Sequence, residues 1–162
     1  MEGRLSILTI RALESGDVAA ILTIQTACPE IAQWTAWDYD RVARGEMAGW
    51  VATEDSGVGA EGAAEVAGFL VARRLSSELE ILNFAVEFEW RRCGIGAALL
   101  AGALQWAQSF EATQALLEVR ASNRAALRFY ERHNFAVVGR RPRYYTAPVE
   151  DALLLTATLT MR

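Results

Sequence analysis

The sequence predicts an α/β (α+β) fold in which a mixed, largely antiparallel sheet is flanked by helices, in the order β-α-α-β-β-β-α-β-α-β-β. Three strand-like segments follow one another between Gly49 and Val86, which is typical of an antiparallel meander. The third leads through a glycine-containing loop into a helix, and a second strand–helix pair begins at Ala115. At 162 residues and 52% hydrophobic content, the chain is expected to form a single domain over residues 1–162.

Charge and composition argue against several classes of function. All 16 basic residues are arginines, so no lysine is available for a P-loop or a Schiff base. A net charge of −4 argues against a nucleic-acid partner, and no run of about 18 uncharged apolar residues predicts a membrane span. A single histidine and two cysteines without ligand spacing predict no metal site. Because the N-terminus has no apolar signal region, we expect a soluble, cytoplasmic protein.

Local patterns divide the first half of the chain into strands and short helices. The predicted elements are a strand at Leu5–Arg11, a helix from Ser15 or Asp17 to Pro29, a helix from Thr35 to about Gly45, and strands at Gly49–Thr53 and Val66–Arg73. Residues 54–65 form an acidic, small-residue loop to which no role is assigned. Trp34, Trp37 and Tyr39 cluster at the second helix. Such aromatics usually lie in the core, but Trp34 is also a candidate for the wall of a substrate groove.

The clearest functional signal is the segment Asn83–Gly96, where a strand ends in a basic loop and a helix begins. The strand is predicted at Leu79–Val86, and the helical pattern continues to Phe110. The first turn of a helix has N–H groups without intrahelical partners and a partial positive charge, and glycines let the backbone approach a ligand. With Arg91 and Arg92 beside it, the segment is suited to bind a pyrophosphate. The alternative is a helix start whose two glycines serve close packing.

A strand, a helix and a strand pair complete the chain. The predicted elements are a strand at Ala115–Arg120, a helix capped by Ser122 or Asn123, and strands at Phe135–Arg141 and Leu153–Thr160 around the loop Arg141–Ala152. Asn123 and Tyr130 are seven residues apart, which places both along one helix face. Glu118 lies in an otherwise apolar strand, where a carboxylate is costly to bury unless it has a partner or a chemical role. The alternatives are a Glu118 that faces solvent or pairs with Arg120, and a Tyr130 that only packs.

Two groups of motifs resemble one enzyme family. The pattern Arg91-x-x-Gly94-x-Gly96 after a strand resembles the acetyl-CoA motif, Gln/Arg-x-x-Gly-x-Gly/Ala, of the GNAT superfamily of N-acetyltransferases. The segments Leu117–Asn123, Leu127–Glu131 and Asn134–Phe135 closely resemble its ribosomal-protein-alanine N-acetyltransferase branch. The resemblance covers residues 79–155, roughly half of the chain, while the first half matches only in its order of elements. Asn134 replaces a glycine that is usual in the family, but asparagine also tolerates the left-handed conformation that ends a helix.

The resemblance implies acetyl transfer from acetyl-CoA to a protein N-terminal α-amine by direct attack in a ternary complex. It places acetyl-CoA, between the strands that end at Val86 and Arg120, against Phe84, Ala85, Val86, Arg91, Arg92, Cys93, Gly94, Ile95, Gly96, Ala97 and Asn123. An α-amine with a pKa of about 8 must lose a proton before it attacks, and Glu118 is the candidate base, directly or through a water. Tyr130 is implied as the proton donor to the leaving thiolate. Cys93 stands where relatives usually carry Arg or another polar residue.

The acceptor is the least defined part of the expected reaction. Tyr144 and Tyr145, followed by Glu150-Asp151-Ala152, resemble the acceptor-side loop of N-terminal amino-acid acetyltransferases, although the loop is shorter. We therefore take Trp34, Tyr144, Tyr145 and Glu150 as candidate substrate residues; the alternative is a surface hairpin with packing tyrosines. A small-molecule amine is the alternative acceptor. A non-catalytic CoA-binding module is disfavoured because Glu118, Asn123 and Tyr130 are present together.

Overall fold

The computed structural model of the protein describes residues 7–55 and 64–160. Its strands are β1 (Ile7–Ala12), β2 (Ala48–Asp55), β3 (Glu65–Leu75), β4 (Glu78–Val86), β5 (Gln114–Arg120), β6 (Ala136–Thr146) and β7 (Val149–Thr158). Its helices are α1 (Val18–Thr26), α2 (Ala36–Ala43), α3 (Ile95–Gln108) and α4 (Arg124–Arg132). The order of these elements confirms the predicted one. The predicted strand start at Leu5 and residues 56–63 of the acidic loop lie outside the described residues.

The strands form one mixed sheet in the order β1-β2-β3-β4-β5-β7-β6. β1 pairs antiparallel with β2, and β7 pairs antiparallel with both β5 and β6. β4 and β5 instead run parallel and pair at their starts, from Glu78 with Gln114 to Glu80 with Leu116. The predicted fold class, a mixed and largely antiparallel sheet with helices, is confirmed.

The chain divides into two compact units. The first comprises Met1–Val71 and Asn83–Ala103, and the second comprises Ala72–Leu82 and Leu104–Arg162. The elements β3, β4 and α3 contribute residues to both units. The expectation of a single acetyltransferase domain over residues 1–162 stays a prediction.

In the first unit, helices α1 and α2 begin differently. α2 starts as predicted, because the Asp38 N–H donates to Thr35 Oγ1 and the Thr35 N–H donates to Asp38 Oδ2. Before α1, residues Ser15–Asp17 form a 3-10 turn, and the side chain of Asp17 does not cap the helix. Its carboxylate instead accepts hydrogen bonds from the Arg11 guanidinium and from the Glu14 N–H, each 2.8 Å long. The predicted cap by Ser15 or Asp17 is therefore corrected: the N-cap is Glu14, before the 3-10 turn, and the Asp17 carboxylate reaches back to its N–H as the third residue of a capping box.

Gly68 on β3 allows a close approach at the end of β4. A Cβ atom at this position would lie 3.0 Å from the Ala85 carbonyl oxygen and 3.2 Å from Leu99 Cδ1 on α3. Both distances are shorter than ordinary van der Waals contacts, so only glycine fits without a shift. This packing sets the position of the last residues of β4 against α3 within the first unit.

In the second unit, the predicted loop 141–152 is mostly strand. β6 continues to Thr146 and β7 begins at Val149, which leaves a two-residue connection. Pro142 made this segment resemble a loop, but it lies in an edge strand at a register shift, where a missing N–H is tolerated. Asp151 also holds the two strands together, because it accepts hydrogen bonds from Arg140 Nη1 (2.6 Å) and the Arg143 N–H (3.0 Å).

Helix α4 begins and ends as the sequence predicts. Asn123 is the N-cap, with its side-chain oxygen accepting a 3.2 Å hydrogen bond from the Ala126 N–H. Asn134 follows the helix with φ of 68°, the left-handed conformation for which asparagine can replace glycine. Within residues 7–55 and 64–160, no helix is long and apolar enough to cross a membrane.

Candidate active site

The predicted site residues fall in both units. Trp34 and the segment 84–97 belong to the first unit, whereas Glu118, Asn123, Tyr130, Tyr144, Tyr145 and Glu150 belong to the second. Most of them lie where a strand ends or where a helix begins, whereas Tyr130 lies in the last turn of α4 and Glu150 lies at the start of β7.

A buried polar network joins the end of β4 to α1, to α2 and to the segment between these helices. Asn83 Nδ2 donates to the Tyr39 hydroxyl at 2.9 Å and to the Ala32 carbonyl at 3.0 Å. The Tyr39 hydroxyl donates in turn to Gln25 Oε1, and Gln25 exchanges two hydrogen bonds with the backbone of Trp34. Burial raises the pKa of Tyr39, so its hydroxyl stays protonated. The network ties the backbone of Trp34 to the strand that ends at the candidate cofactor loop.

The roles of Asn83 and Gln25 in this network were not predicted from the sequence. The available signal was an amide in the otherwise apolar run Ile-Leu-Asn-Phe-Ala-Val, since a polar side chain in a buried strand requires partners. The spacing of residues in the sequence gave no indication of which partners these are.

The main-chain N–H groups at the end of β4 alternate in direction. The Glu87 N–H donates to the Ala67 carbonyl on β3 at 2.8 Å, and successive N–H groups along a strand alternate in direction. The N–H groups of Phe84 and Val86 therefore point away from β3. That of Phe84 donates to its neighbour Asn83 Oδ1 at 3.2 Å. The Val86 N–H is therefore the candidate ligand donor among residues 84–86.

The loop before α3 contains two residues with a positive φ. Arg92 has φ of 65° and Gly94 has φ of 80°, so two nearby residues adopt the left-handed conformation. Such a conformation is uncommon for a residue other than glycine and is often found at ligand sites. The first hydrogen bond of the helix runs from the Ala98 N–H to the Gly94 carbonyl. The N–H groups of residues 95–97 precede it and form the positive end of the helix dipole.

Arg91 holds this loop in place. Its Nε donates to the Val86 carbonyl at 3.1 Å, and its guanidinium lies 3.3 Å from the Cys28 sulfur and 3.7 Å from the Glu30 carboxylate. Burial raises the pKa of the Cys28 thiol, so Cys28 is a packed neighbour here and not a reactive thiolate. Cys93 is exposed, with its thiol 3.6 Å from the Arg91 carbonyl.

In the second unit, Glu118 is held by partners from β6. Arg141 Nε lies 2.8 Å from Glu118 Oε1, and the Tyr144 hydroxyl donates a hydrogen bond to the same carboxylate. This hydrogen bond raises the pKa of Tyr144. The Glu118 side chain is 21% exposed, which leaves it accessible although it follows a buried residue on β5. Glu118 therefore pairs with Arg141 and not with Arg120, which was the alternative partner.

Arg120 instead anchors the hairpin of β6 and β7. Its Nη1 lies 3.4 Å from Glu150 Oε2, and its guanidinium lies over the Tyr145 ring, 4.2 Å from the centroid. The other carboxylate oxygen of Glu150 accepts a 2.6 Å hydrogen bond from the Ser122 N–H. Hydrogen bonds from the Ser122 side chain and from this N–H lower the pKa of Glu150. Glu150 therefore connects β7 to the turn between β5 and α4. Arg120 was predicted only as an alternative partner of Glu118, and its position on the same strand face was the available signal.

Tyr130 on α4 is buried, with 6% of its surface exposed. Its ring makes edge contacts with Phe129 and Phe135, each with centroids 5.3 Å apart. Burial raises the pKa of Tyr130, so the phenol keeps its proton at neutral pH. The residue both packs and retains a proton.

The comparisons with known proteins agree with the motifs. Residues 18–135 match the sequence profile of the acetyltransferase (GNAT) family. The [ribosomal protein bS18]-alanine N-acetyltransferase of Escherichia coli (strain K12) is 32% identical over 99 residues, which are 60% of this chain and 67% of that protein. An N-alpha-acetyltransferase of Sulfurisphaera tokodaii is 38% identical over 80 residues, 49% of this chain and 47% of that protein. The crystal structure of the ribosomal-protein-S18-alanine N-acetyltransferase from Escherichia coli is similar, with a TM-score of 0.78 at 26% identity over 96% of each chain. The chain therefore belongs to the acetyltransferase (GNAT) family.

Proposed function

We propose that this chain transfers the acetyl group of acetyl-CoA to the N-terminal α-amine of a protein. The observation that carries the proposal is the carboxylate of Glu118, held at the end of β5 by the Arg141 guanidinium and the Tyr144 hydroxyl. Two relatives whose names specify alanine or α-amine acetylation support this class of acceptor. The tyrosines of the β6–β7 hairpin support it too, since Tyr144 is half exposed and lies beside the proposed base.

The loop at residues 91–97 is the proposed binding site for the pyrophosphate of acetyl-CoA, which supplies the acetyl thioester. Its fit rests on the two left-handed residues and the N-terminus of α3, which direct N–H groups towards an anion. Gly94 leaves open space, because a Cβ atom there would meet no atom within 4 Å. The Val86 N–H is the proposed donor to the thioester carbonyl oxygen. Asn123, which caps α4, stays a predicted cofactor contact.

Two residues are proposed to move protons. Glu118 removes a proton from the acceptor amine, whose unperturbed pKa of about 8 keeps much of it protonated at neutral pH. Tyr130 donates a proton to the thiolate, and its raised pKa keeps that proton available. Direct attack by the amine requires no covalent enzyme intermediate, in agreement with the exposed Cys93 lacking a paired base in the sequence.

A peptide library tests the acceptor class. The protein is incubated with acetyl-CoA and peptides of varied N-terminal residue, and acetylated products are identified by mass spectrometry. We expect acetylation of the α-amine in the wild type and its loss in Glu118→Gln, with Glu131→Gln on α4 as a matched control. If the protein acetylates polyamines or aminoglycosides but none of the peptides, the proposed acceptor class is overturned. If acetyl-CoA is consumed at the same rate with and without every acceptor, the proposed transfer to an amine is overturned.

A further inference from the structure

Two rows of side chains cross three strands on one face of the second unit. Residues directly opposite each other in antiparallel strands point to the same face. One row is Glu118, Leu154 and Gly139, and the next is Arg120, Ala152 and Arg141. Gly139 has no side chain and Ala152 has a small one, so the long side chain of Arg141 can cross diagonally to Glu118.

The ion pair between Arg141 and Glu118 can open at little cost in stability. The two groups are 2.8 Å apart, but the Arg141 side chain is 59% exposed and sits on the edge strand β6. Exposed ion pairs contribute little stability, because water solvates the separated charges well. Arg141 can therefore leave the carboxylate without unfolding the hairpin.

An acceptor amine that approaches Glu118 meets Arg141 at the same carboxylate. An ammonium group that reaches Glu118 competes with the guanidinium for the same carboxylate oxygens. The neighbouring carboxylates already have cations of their own: Glu80 pairs with Arg73 at 2.6 Å, Glu150 with Arg120 at 3.4 Å, and Asp151 with Arg140 at 2.6 Å. A displaced Arg141 thus finds a new anionic partner most readily on the acceptor itself.

We propose that Arg141 selects acceptors that carry a carboxylate close to the reacting amine. This inference rests on the proposed function, in which Glu118 accepts the proton of the amine. Binding exchanges one ion pair for two: Glu118 with the acceptor ammonium, and Arg141 with the acceptor carboxylate. Arginine suits this role because its planar guanidinium can bind a carboxylate through two parallel hydrogen bonds. If the acceptor instead carries a basic residue beside the amine, that residue and the released Arg141 have the same charge and repel each other.

Three peptides that differ at one position test the inference. They share an N-terminal alanine and carry Asp, Asn or Arg as the second residue, and kcat and KM are measured for the wild type, Arg141→Gln and Arg140→Gln. Arg140 is the matched control, since it lies on the same strand with 58% exposure but alternates to the opposite face and pairs with Asp151. We expect the wild type to prefer the Asp peptide over the Asn peptide by about two- to fivefold in kcat/KM, the range that an exposed ion pair supplies.

The preference should arise in KM and should shrink when NaCl is raised from about 25 mM to about 250 mM, which shortens the screening length. Arg141→Gln should reduce the ratio to near one, and Arg140→Gln should keep it. An unchanged ratio in Arg141→Gln, an equal loss in Arg140→Gln, or a loss confined to kcat would overturn the inference while leaving the proposed function in place. If the wild type acetylates none of these three peptides and no other peptide of the library, the proposed function is overturned, and this inference with it.

Discussion

The side-chain amide of Asn83 on β4 donates a 2.9 Å hydrogen bond to the hydroxyl of Tyr39 on α2. Both residues are buried, and the bond joins the helix that follows Trp34 to the strand that ends at the candidate cofactor loop. The same hydroxyl donates to Gln25, so one oxygen atom serves two buried amides. The position of β4 in the first unit depends on this shared atom.

Removing that oxygen should destabilise the protein. In Tyr39→Phe, the amides of Asn83 and Gln25 each lose a buried partner, and we expect the free energy of unfolding to fall by about 1–3 kcal/mol. Urea unfolding measures the change. Tyr144→Phe, at an exposed tyrosine, is the control and should unfold at nearly the wild-type urea concentration. A midpoint for Tyr39→Phe equal to that of the wild type would show that the network contributes nothing to stability.

Acetyl-CoA should raise the melting temperature through the loop before α3. Binding to the native state stabilises it by about 2.7 kcal/mol at a hundredfold excess over Kd. Gly94→Asp should weaken the effect, because it adds a side chain and a negative charge at the proposed phosphate site.

Gly45→Asp is a matched control for this substitution. Gly45 has φ of 87° against 80° for Gly94, and neither position has an atom within 4 Å of an added Cβ. The backbone strain should therefore be similar in both variants, and only Gly94→Asp should lose the thermal shift. If acetyl-CoA raises the melting temperature of both variants equally, the loop is not part of the cofactor site.

Replacing the proposed base should produce a defect that alkaline pH partly repairs. Glu118→Gln keeps the shape of the side chain but cannot accept a proton, so turnover should fall by roughly 10²–10⁴-fold near neutral pH. As the pH rises, the amine deprotonates without help and part of the rate should return. A pH–rate profile with one accepted peptide measures this, and a variant with full activity at pH 7 would disprove the role of Glu118.

Replacing the proposed acid should give a different profile. Tyr130→Phe removes the proton donor to the thiolate, and raising the pH supplies no substitute, so the defect should persist or deepen. Acetyl-CoA affinity, measured by the thermal shift, should stay near the wild-type value. Because the ring packs between Phe129 and Phe135, phenylalanine keeps those contacts. A profile parallel to that of Glu118→Gln would show that the two roles are wrongly divided.

Asp17 should contribute to stability in a pH-dependent way. Burial acts to raise its pKa, but the hydrogen bonds from Arg11 and the Glu14 N–H lower the pKa overall. Because the folded-state pKa lies below the unfolded value of about 3.9, the contribution is fully present above that value and is lost as the pH falls through the folded-state pKa. The difference in unfolding free energy between the wild type and Asp17→Asn should thus be constant from about pH 5 to 7 and shrink below about pH 4.

Urea unfolding at a series of pH values measures this difference. Glu14→Gln is the control, since the Glu14 carboxylate is exposed and lies 3.9 Å from Arg11. A difference for Asp17→Asn that does not change as the pH is lowered would contradict the assignment.

The features that the sequence predicted correctly depend on short-range interactions. Thr35 caps α2 because its hydroxyl and the Asp38 carboxylate are three residues apart, and Asn134 ends α4 because its side chain permits a positive φ. The order of strands and helices likewise follows from local periodicity. The strand–loop–helix motif at residues 83–96, taken together with the motifs between Leu117 and Phe135, indicated the family that the comparisons confirmed.

The pairing of charges was decided only by the tertiary structure. From spacing alone, Arg120 was the one partner suggested for Glu118, as an alternative to a chemical role, because it lies two residues away on the same strand face. In the fold, Glu150 engages Arg120 and leaves Glu118 to Arg141, because β7 inserts between β5 and β6 and brings both hairpin strands within reach. The pairing of Arg11 on β1 with the carboxylate of Asp17 was likewise not predicted from the sequence. A charge pairs with the partner that the chain fold brings nearest, and that distance depends on strand order and register, which local sequence patterns do not encode.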